Sequence, residues 1–430
     1  MANVLLVGLG SSGDVNPLLG IGSALADRGH RTTLVSAPPF AHAAAAIGAD
    51  FSPIGTREEY EAVYAHPHLW HPRRGLGVFF PYAAGLADET AAVVEARFVE
   101  GETVVVATFQ CFGARVAQEA LGVPVCTVLP NPILVQSVHD PGRSPMGNPP
   151  RWLGKGAVRL MYRIANREIS RHARSGVNGA RATRGLEPPV LDIVGWSRSP
   201  DRVLALWPAI LAPPQPDWPP QVRTTGFIRY DGPASVGWSP PDHLPDRSDW
   251  LVFTPGTRMT HGRTFFDIAC EASVRLRTPT LLVARDRSAL PEILPEGVWH
   301  LEYAPFAWLF ERAATVVHHG GIGTAGRALE AGVPQVIVPS GFDQFDNAER
   351  VARLGVGRRL RRRDLTAAAL EEAIEELATD ARTMERCRDV RGELATSDAL
   401  EATCREIERL VGLPGAGGES GGPATGGATA

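Results

Sequence analysis

The chain has 430 residues, 44% hydrophobic and 21% charged, enough for two or three globular domains with sizeable cores. Its net charge of −4 excludes the basic footprint of a nucleic-acid-binding protein. Five scattered cysteines (Cys111, Cys126, Cys270, Cys387 and Cys404) lack C-x-x-C spacing, which excludes a disulfide framework or a cysteine zinc site and fits a reducing, cytoplasmic setting.

Residues 3–7 read as a short apolar strand with no targeting segment before it. Gly8, Gly10 and Gly13 follow in a G-x-G-x-x-G array, then a helix with Leu18, Leu19, Ile21, Ala24 and Leu25 inward, then a strand at 32–35. A dinucleotide oxidoreductase would place an acidic residue at the end of that second strand, where this chain has Ser36-Ala37-Pro38-Pro39. The glycines therefore read as a tight turn exposing Asp14. A carboxylate there can act as general base on an alcohol. It can equally cap a helix starting near Asn16 or Pro17. Ser11 and Ser12 share the loop.

Strand and helix patterns alternate from 51 to 129. Between them, His66, His68 and His71 stand close together, but prolines break any helix that would align them and no carboxylate or cysteine accompanies them at ligand spacing. The neighbouring Trp70, Phe79 and Phe80 fit an apolar pocket or its lid better than a metal site. Residues 131–148 form a turn-rich loop, and 152–182 a basic helix with a solvated face. The proline run at 211–220 marks a boundary. This predicts a first domain over 1–231, a linker over 232–249 and a second α/β domain over 250–414. Residues 415–430, almost only Gly, Ala, Ser, Thr and Pro, are expected to be disordered. No apolar run reaches the roughly 18 residues of a membrane helix.

The stretch 315–347 is the most informative. A β-branched strand at 315–317 runs into His318, His319, Gly320, Gly321, Ile322, Gly323 and Thr324, then a helix stopped by Gly332 and Pro334. A strand at 336–338 ends in the polar loop 340–346. In such a strand–turn–helix unit the free helix N–H groups and the dipole favour a phosphate. His319 and Thr324 add side-chain donors. Asp343 and Gln344, at the carboxyl end of the next strand, suit sugar hydroxyls. With no Asp-x-Asp pair to hold a divalent cation, the helix N-terminus, His319 and Thr324 must neutralise the diphosphate, so no metal is expected. The arginine-rich run 358–363 reads as a solvated edge, with a peripheral membrane contact as the lesser possibility.

This stretch resembles the donor-binding signature of nucleotide-sugar glycosyltransferases of the GT-B fold, which include plant and bacterial UDP-sugar enzymes and those that decorate antibiotic aglycones. The resemblance implies an α/β chain of two Rossmann-like doubly wound domains facing a central cleft, with the last helix returning to the first domain. It places the donor on Thr257, Tyr303, Phe306, His319, Gly321, Gly323, Thr324, Asp343 and Gln344. Tyr303 takes the place of the family's base-stacking Trp, and Phe306 that of its Gln. On the residues alone, Phe306 and Trp308 read equally as core aromatics beside a helix start. Gly13-Asp14-Val15-Asn16-Pro17 matches the segment carrying the catalytic His or Asp, so Asp14 is the implied base of an inverting transfer. Ser11, Ser12, Trp70, Phe79 and Phe80 fall on the acceptor side. Segments 10–17, 212–219, 225–227 and 342–350 look closest to bacterial rhamnolipid rhamnosyltransferases. That implies dTDP-L-rhamnose and a hydroxyacyl lipid, with an apolar channel at 76–86. A polyketide, macrolide or flavonoid acceptor with a dTDP- or UDP-sugar is the alternative.

Overall fold

The computed structural model describes residues 1–144, 147–256 and 263–411. The first unit runs β1 (Asn3–Gly8), α1 (Ser12–Asp27), β2 (Arg31–Ser36), α2 (Ala41–Ala46), β3 (Asp50–Pro53), α3 (Arg57–Ala65), α4 (Gly75–Gly85) and α5 (Ala87–Arg97). It continues through β4 (Thr103–Thr108), α6 (Phe112–Leu121), β5 (Val125–Leu129), α7 (Gly154–Ala182), α8 (Ile193–Trp196), β6 (Arg202–Ala205) and β7 (Val222–Thr224). The second runs β8 (Trp250–Thr254), α9 (Arg263–Leu276), β9 (Thr280–Val283), β10 (Val298–Leu301), α10 (Phe306–Phe310), β11 (Ala313–His318), α11 (Ile322–Ala331), β12 (Gln335–Ile337), α12 (Gln344–Arg353) and β13 (Gly357–Arg359). Helices α13 (Ala367–Thr379), α14 (Ala381–Ala395) and α15 (Ala399–Glu408) follow. The expected tail and Thr257 lie outside the described residues.

Two parallel sheets result, in the orders β3-β2-β1-β4-β5-β6-β7 and β10-β9-β8-β11-β12-β13. Helices cover both faces, which is why the central strands are continuous apolar runs; Val4, Leu5, Leu6 and Val7 of β1 are all fully buried. Each order reverses at one point, between β1 and β4 in the first sheet and between β8 and β11 in the second. The crevice at the carboxyl end of such a reversal is where open α/β sheets take ligands.

Helix α1 starts earlier than the proline suggests. Ser11 is its N-cap, and Asp14 reaches back to the Ser11 N–H at 2.8 Å to complete a capping box. Pro17 therefore lies inside the helix. Residues 232–249 do not hang free: Trp238 packs edge-on against Trp308 at 5.1 Å, and Leu244 is buried with the second sheet.

Helix α15 crosses back to the first unit. Cys404, Ile407 and Leu410 join the core built around β1 and α1. The Thr403 hydroxyl bonds that of Thr225 at 2.9 Å, and Arg28 pairs with Glu401 and Glu408.

A second bridge is ionic. Arg350 of α12 is 2% exposed and donates to Asp346 at 2.8 Å and to Asp140, in the loop after β5, at 2.5 Å. Asp346, 1% exposed, also accepts from the Arg143 backbone N–H at 2.8 Å. Arg353 adds a bond to Asp140 at 2.9 Å. By contrast, the expected solvated basic run is paired at the surface, with Arg358 to Glu376, Arg359 to Glu349 and Arg361 to Asp364.

Removing one member of a buried pair strands the other charge. Arg350→Met is therefore expected to cost about 3–5 kcal/mol in urea unfolding. Arg358→Met, with its partners in solvent, is expected to cost less than about 1 kcal/mol.

Candidate active site

The first half of the site is the end of β1. Gly10 has φ +134°, and a Cβ there would fall 2.4 Å from Asp14 Oδ2, so only glycine lets the carboxylate fold back over the turn. Asp14 accepts from the Ser11 N–H and from its hydroxyl at 3.1 Å. Across the strand reversal, Gln110 follows β4. Its amide nitrogen donates to the Leu9 carbonyl and stands 3.5 Å from Asp14 Oδ1, while its Oε1 is buried without a partner. The Tyr60 hydroxyl donates to the Gly10 carbonyl at 3.2 Å and steadies the same turn. Asp14 keeps part of its surface open, as a side chain at the floor of a cleft does. Desolvation nonetheless holds its carboxyl above the ordinary value, against the bonds from Ser11 and Gln110.

The second half is built at the reversal between β8 and β11. His318 is fully buried and structural: one ring nitrogen meets Gln335 Oε1 at 2.9 Å, and Nδ1 accepts from the Gly320 N–H at 3.0 Å. His319 points the other way, between two glycines. A Cβ on Gly256 would lie 2.6 Å from its Cε1, and one on Gly321 2.6 Å from its Nε2. The two glycines thus make the slot that admits the imidazole. Its Nδ1 is buried with no partner, and burial, with His318 adding to it, pushes the ring down to about 3. Desolvation lowers His318 to about 4. Both rings are neutral at pH 7.

Gly321 is the N-cap of α11 and supplies no capping side chain. The N–H groups of Ile322, Gly323 and Thr324 are the ones an α-helix leaves without internal partners. Gly323 is exposed with open space beside it, and Thr324 is buried. One loop further on, Asn347 donates to the Gly320 carbonyl at 2.9 Å and to Asp343 Oδ2 at 2.7 Å, tying the two turns together. Gln344 Oε1 accepts from the Ser340 and Gly341 N–H groups at 2.8 and 3.1 Å, so the group it has left for a ligand is its NH₂. Burial raises Asp343 to about 7, and the negative charge of Asp14 across the cleft adds to the rise. The loops after β1, β4, β8, β11 and β12 thus gather around one cleft.

The remaining predicted residues divide. Tyr303 is half-buried and its hydroxyl donates to the Asp231 carbonyl at 2.9 Å. The Asp231 carboxylate holds Arg327 of α11 at 3.0 Å, so the loop after β10 is drawn against α11. Phe306 stacks on Phe310 at 4.8 Å. Ser12 lies in the first turn of α1. Trp70 and Phe79 both reach Phe342 edge-on, at 5.6 and 6.4 Å. Phe80 does not join them. One position further round α4, it turns into the core beneath α5 and α6 against Phe109 and Phe112 and is buried. Of the two phenylalanines expected on the acceptor side, Phe79 therefore reaches Phe342 and Phe80 is a core residue.

Sequence reasoning missed Gln110, Phe342 and Asn347. The position of Gln110 right after a buried strand beside β1 was the available signal. Phe342 has φ +49°, a left-handed backbone rare for an aromatic residue, and nothing in its own type announces that.

Residues 4–139 match the glycosyltransferase family 28 N-terminal domain, and 279–410 the erythromycin biosynthesis protein CIII-like C-terminal domain. The chain is 30% identical over 429 residues to O-mycaminosyltylonolide 6-deoxyallosyltransferase of Streptomyces fradiae, covering 94% of this chain and 96% of that protein. In three dimensions it is similar to the glycotransferase of kitacinnamycin, with a TM-score of 0.71 at 23% identity over 95% and 99% of the two chains. A glycosyltransferase solved in complex with dTDP, VinC, gives 0.67 at 18% identity over 95% and 99%. These likenesses carry the fold, which is GT-B.

A raised carboxyl favours the folded state while protonated, so its contribution fades as pH rises through about 7. Asp343→Asn removes that loss. The variant is expected to be more stable than the parent at pH 8.5, with the advantage shrinking toward pH 4, as thermal unfolding at both values would read. The lowered histidines act the other way: their contribution is lost as pH falls from about 6.5 toward 4.

Proposed function

This chain belongs to the nucleotide-sugar glycosyltransferases of the antibiotic-biosynthesis type, and from that premise we propose that it transfers a deoxysugar from a dTDP-sugar to a hydroxyl of a polyketide- or macrolide-like aglycone. The reading rests above all on Asp14 facing Asp343 across the cleft, with the uncapped end of α11 and the neutral His319 beside them. A base, a sugar-binding carboxylate and an anion-binding helix end are the three parts such a transfer requires.

In this reading Asp14 takes the proton of the acceptor hydroxyl. The oxygen then attacks the anomeric carbon, and the bond to the diphosphate oxygen breaks with its electron pair, inverting the centre. The raised carboxyl of Asp14 suits the task, because a stronger base shares the proton better in the transition state. The leaving charge falls on the N–H groups of Ile322, Gly323 and Thr324 and on His319, whose ring, with Nδ1 unpaired, is left to give a hydrogen bond. Charge compensation by the protein makes the reaction independent of a divalent cation. Asp343 and the amide NH₂ of Gln344 hold sugar hydroxyls. Trp70, Phe79 and Phe342 form the apolar wall for the aglycone.

The Streptomyces fradiae relative favours this acceptor over a hydroxyacyl chain. The Streptomyces fradiae enzyme is named for a deoxyhexose and a glycosylated tylonolide. The competing reading, L-rhamnose onto a hydroxyacyl chain, draws on the motifs at 10–17 and 342–350. It is weakened by α4, whose Phe80, Ala83 and Ala84 are buried in the core rather than lining a channel.

Asp14→Asn is expected to lower turnover by about two to four orders of magnitude. Titration calorimetry should find dTDP affinity nearly unchanged. Turnover close to the parent's would reduce Asp14 to its capping role. In a donor and acceptor screen, dTDP-deoxysugars with macrolide aglycones should react. Turnover of dTDP-rhamnose with hydroxyacyl acceptors alone would replace this substrate reading with the lipid one.

A further inference from the structure

Twelve large hydrophobic side chains stand exposed among the described residues, and four of them fall in one short stretch. Trp152 and Leu153, 83% and 47% exposed, sit in the turn leading into α7; Leu160 and Ile164, 56% and 60% exposed, lie one helical turn apart on it. Single exposed apolar residues are ordinary on a protein surface, but a run of this kind calls for a partner. Arg159, Arg163 and Arg167 are spaced four apart, so they form a row beside Leu160 and Ile164. Lys155 stands one turn before them.

The charge here is unbalanced. Among the described residues Arg159, Arg163 and Arg167 make no ion pair, and Lys155 meets only His139, at 3.0 Å. The nearby Glu168 is engaged by Arg171 and His172. In a chain of net charge −4, this is a local patch of opposite sign. The arginines of the 358–363 run differ, since Arg358, Arg359, Arg361 and Arg363 all have carboxylate partners.

We propose that the exposed face of α7, with the turn before it, docks on an anionic lipid surface. Cations in a row with exposed Trp, Leu and Ile between them fit the boundary between headgroups and acyl chains: the charges meet lipid phosphates and the apolar tips enter below them. A second copy of the chain fits less well. The acidic face of α13 is the obvious complement, but two of its four carboxylates, Glu371 and Glu376, already pair with Arg275 and Arg358, and it offers no apolar surface to match Trp152, Leu160 and Ile164. The buried side of α7 leads back to the cleft. The Tyr162 hydroxyl donates to the Ser137 carbonyl at 3.3 Å, and Asn166 pairs with Gln136 at 2.7 Å. The same loop carries Asp140, the partner of Arg350. Docking would therefore hold the acceptor half of the enzyme against the phase in which an apolar acceptor dissolves. The lipid contact does not depend on which sugar or aglycone is used.

Co-sedimentation of the full chain with vesicles tests this. Binding is expected to phosphatidylcholine–phosphatidylglycerol vesicles, to be weak on phosphatidylcholine alone, and to fall with added salt. Arg159→Glu with Arg163→Glu should lower partitioning about tenfold or more. Trp152→Ser with Ile164→Ser should lower it comparably. Arg361→Glu with Arg363→Glu should leave it unchanged, and turnover of a water-soluble acceptor should stay at the parent level throughout. Equal binding to both vesicle types, no binding to either, or indifference to the α7 substitutions would overturn the proposal. So would a dimer in sedimentation velocity that Ile164→Ser dissolves, which would give this face to a second copy.

Discussion

One buried guanidinium fixes how the two halves of this molecule meet. Arg350 is held on one side by Asp346 of its own helix and on the other by Asp140 of the opposite domain, and Arg350 and Asp346 are almost fully buried. Pairing charges in such a place is costly in desolvation, so its gain is geometric definition more than stability. The definition is useful because α12 begins with Asp343 and Gln344. Anchoring the middle of that helix to the first domain sets where the two side chains stand relative to Asp14. Phe342, just ahead of them, is wedged against Trp70 and Phe79, an apolar stop beside the ionic one.

Within that frame the site is electrostatically poised. Two carboxylates face each other, both raised by desolvation, and the charge of Asp14 makes Asp343 harder still to ionise. Beside them, His319 is neutral because it is desolvated, and the free end of α11 carries positive potential with no side chain to satisfy it. An incoming diphosphate would supply the missing negative charge at the helix end and draw a hydrogen bond from His319. Charge complementarity of this kind is laid down before the ligand arrives and needs little rearrangement when bonds break.

How much of this could be read beforehand depended on the range of the interaction. The strands β1, β4, β8 and β11 were legible because parallel sheets buried on both faces demand continuous apolar runs. The strand–glycine turn–helix unit before β12 was legible because glycines, a helix start and a following strand lie within about two dozen consecutive residues. Asp343 and Gln344 followed from their place after the next strand. Asp140 and Arg350 were not legible: they are 210 positions apart, and each alone reads as an ordinary surface charge. Gln110 drew no notice because its importance comes from the strand order, which sets β4 beside β1. Phe80 was misplaced because adjacent residues on a helix point about 100° apart, so Phe79 reaches Phe342 while Phe80 turns into the core. The start of α1 was misplaced because the proline was weighed above the Ser-x-x-Asp box.

The return of α15 to the first domain has a consequence for the order in which the molecule can be made. The core around β1 and α1 includes Cys404, Ile407 and Leu410, so that earlier-made segment lacks part of its interior until the much later segment carrying these three has been synthesised. At ordinary ribosomal speeds that interval is on the order of tens of seconds. Over that time the nascent first domain shows water an apolar groove along α1 that only its own distant end can fill. The second domain meanwhile emerges with α15 still unattached. Completion is then a joint event, in which closing that groove also ties the ends of the two-domain body together.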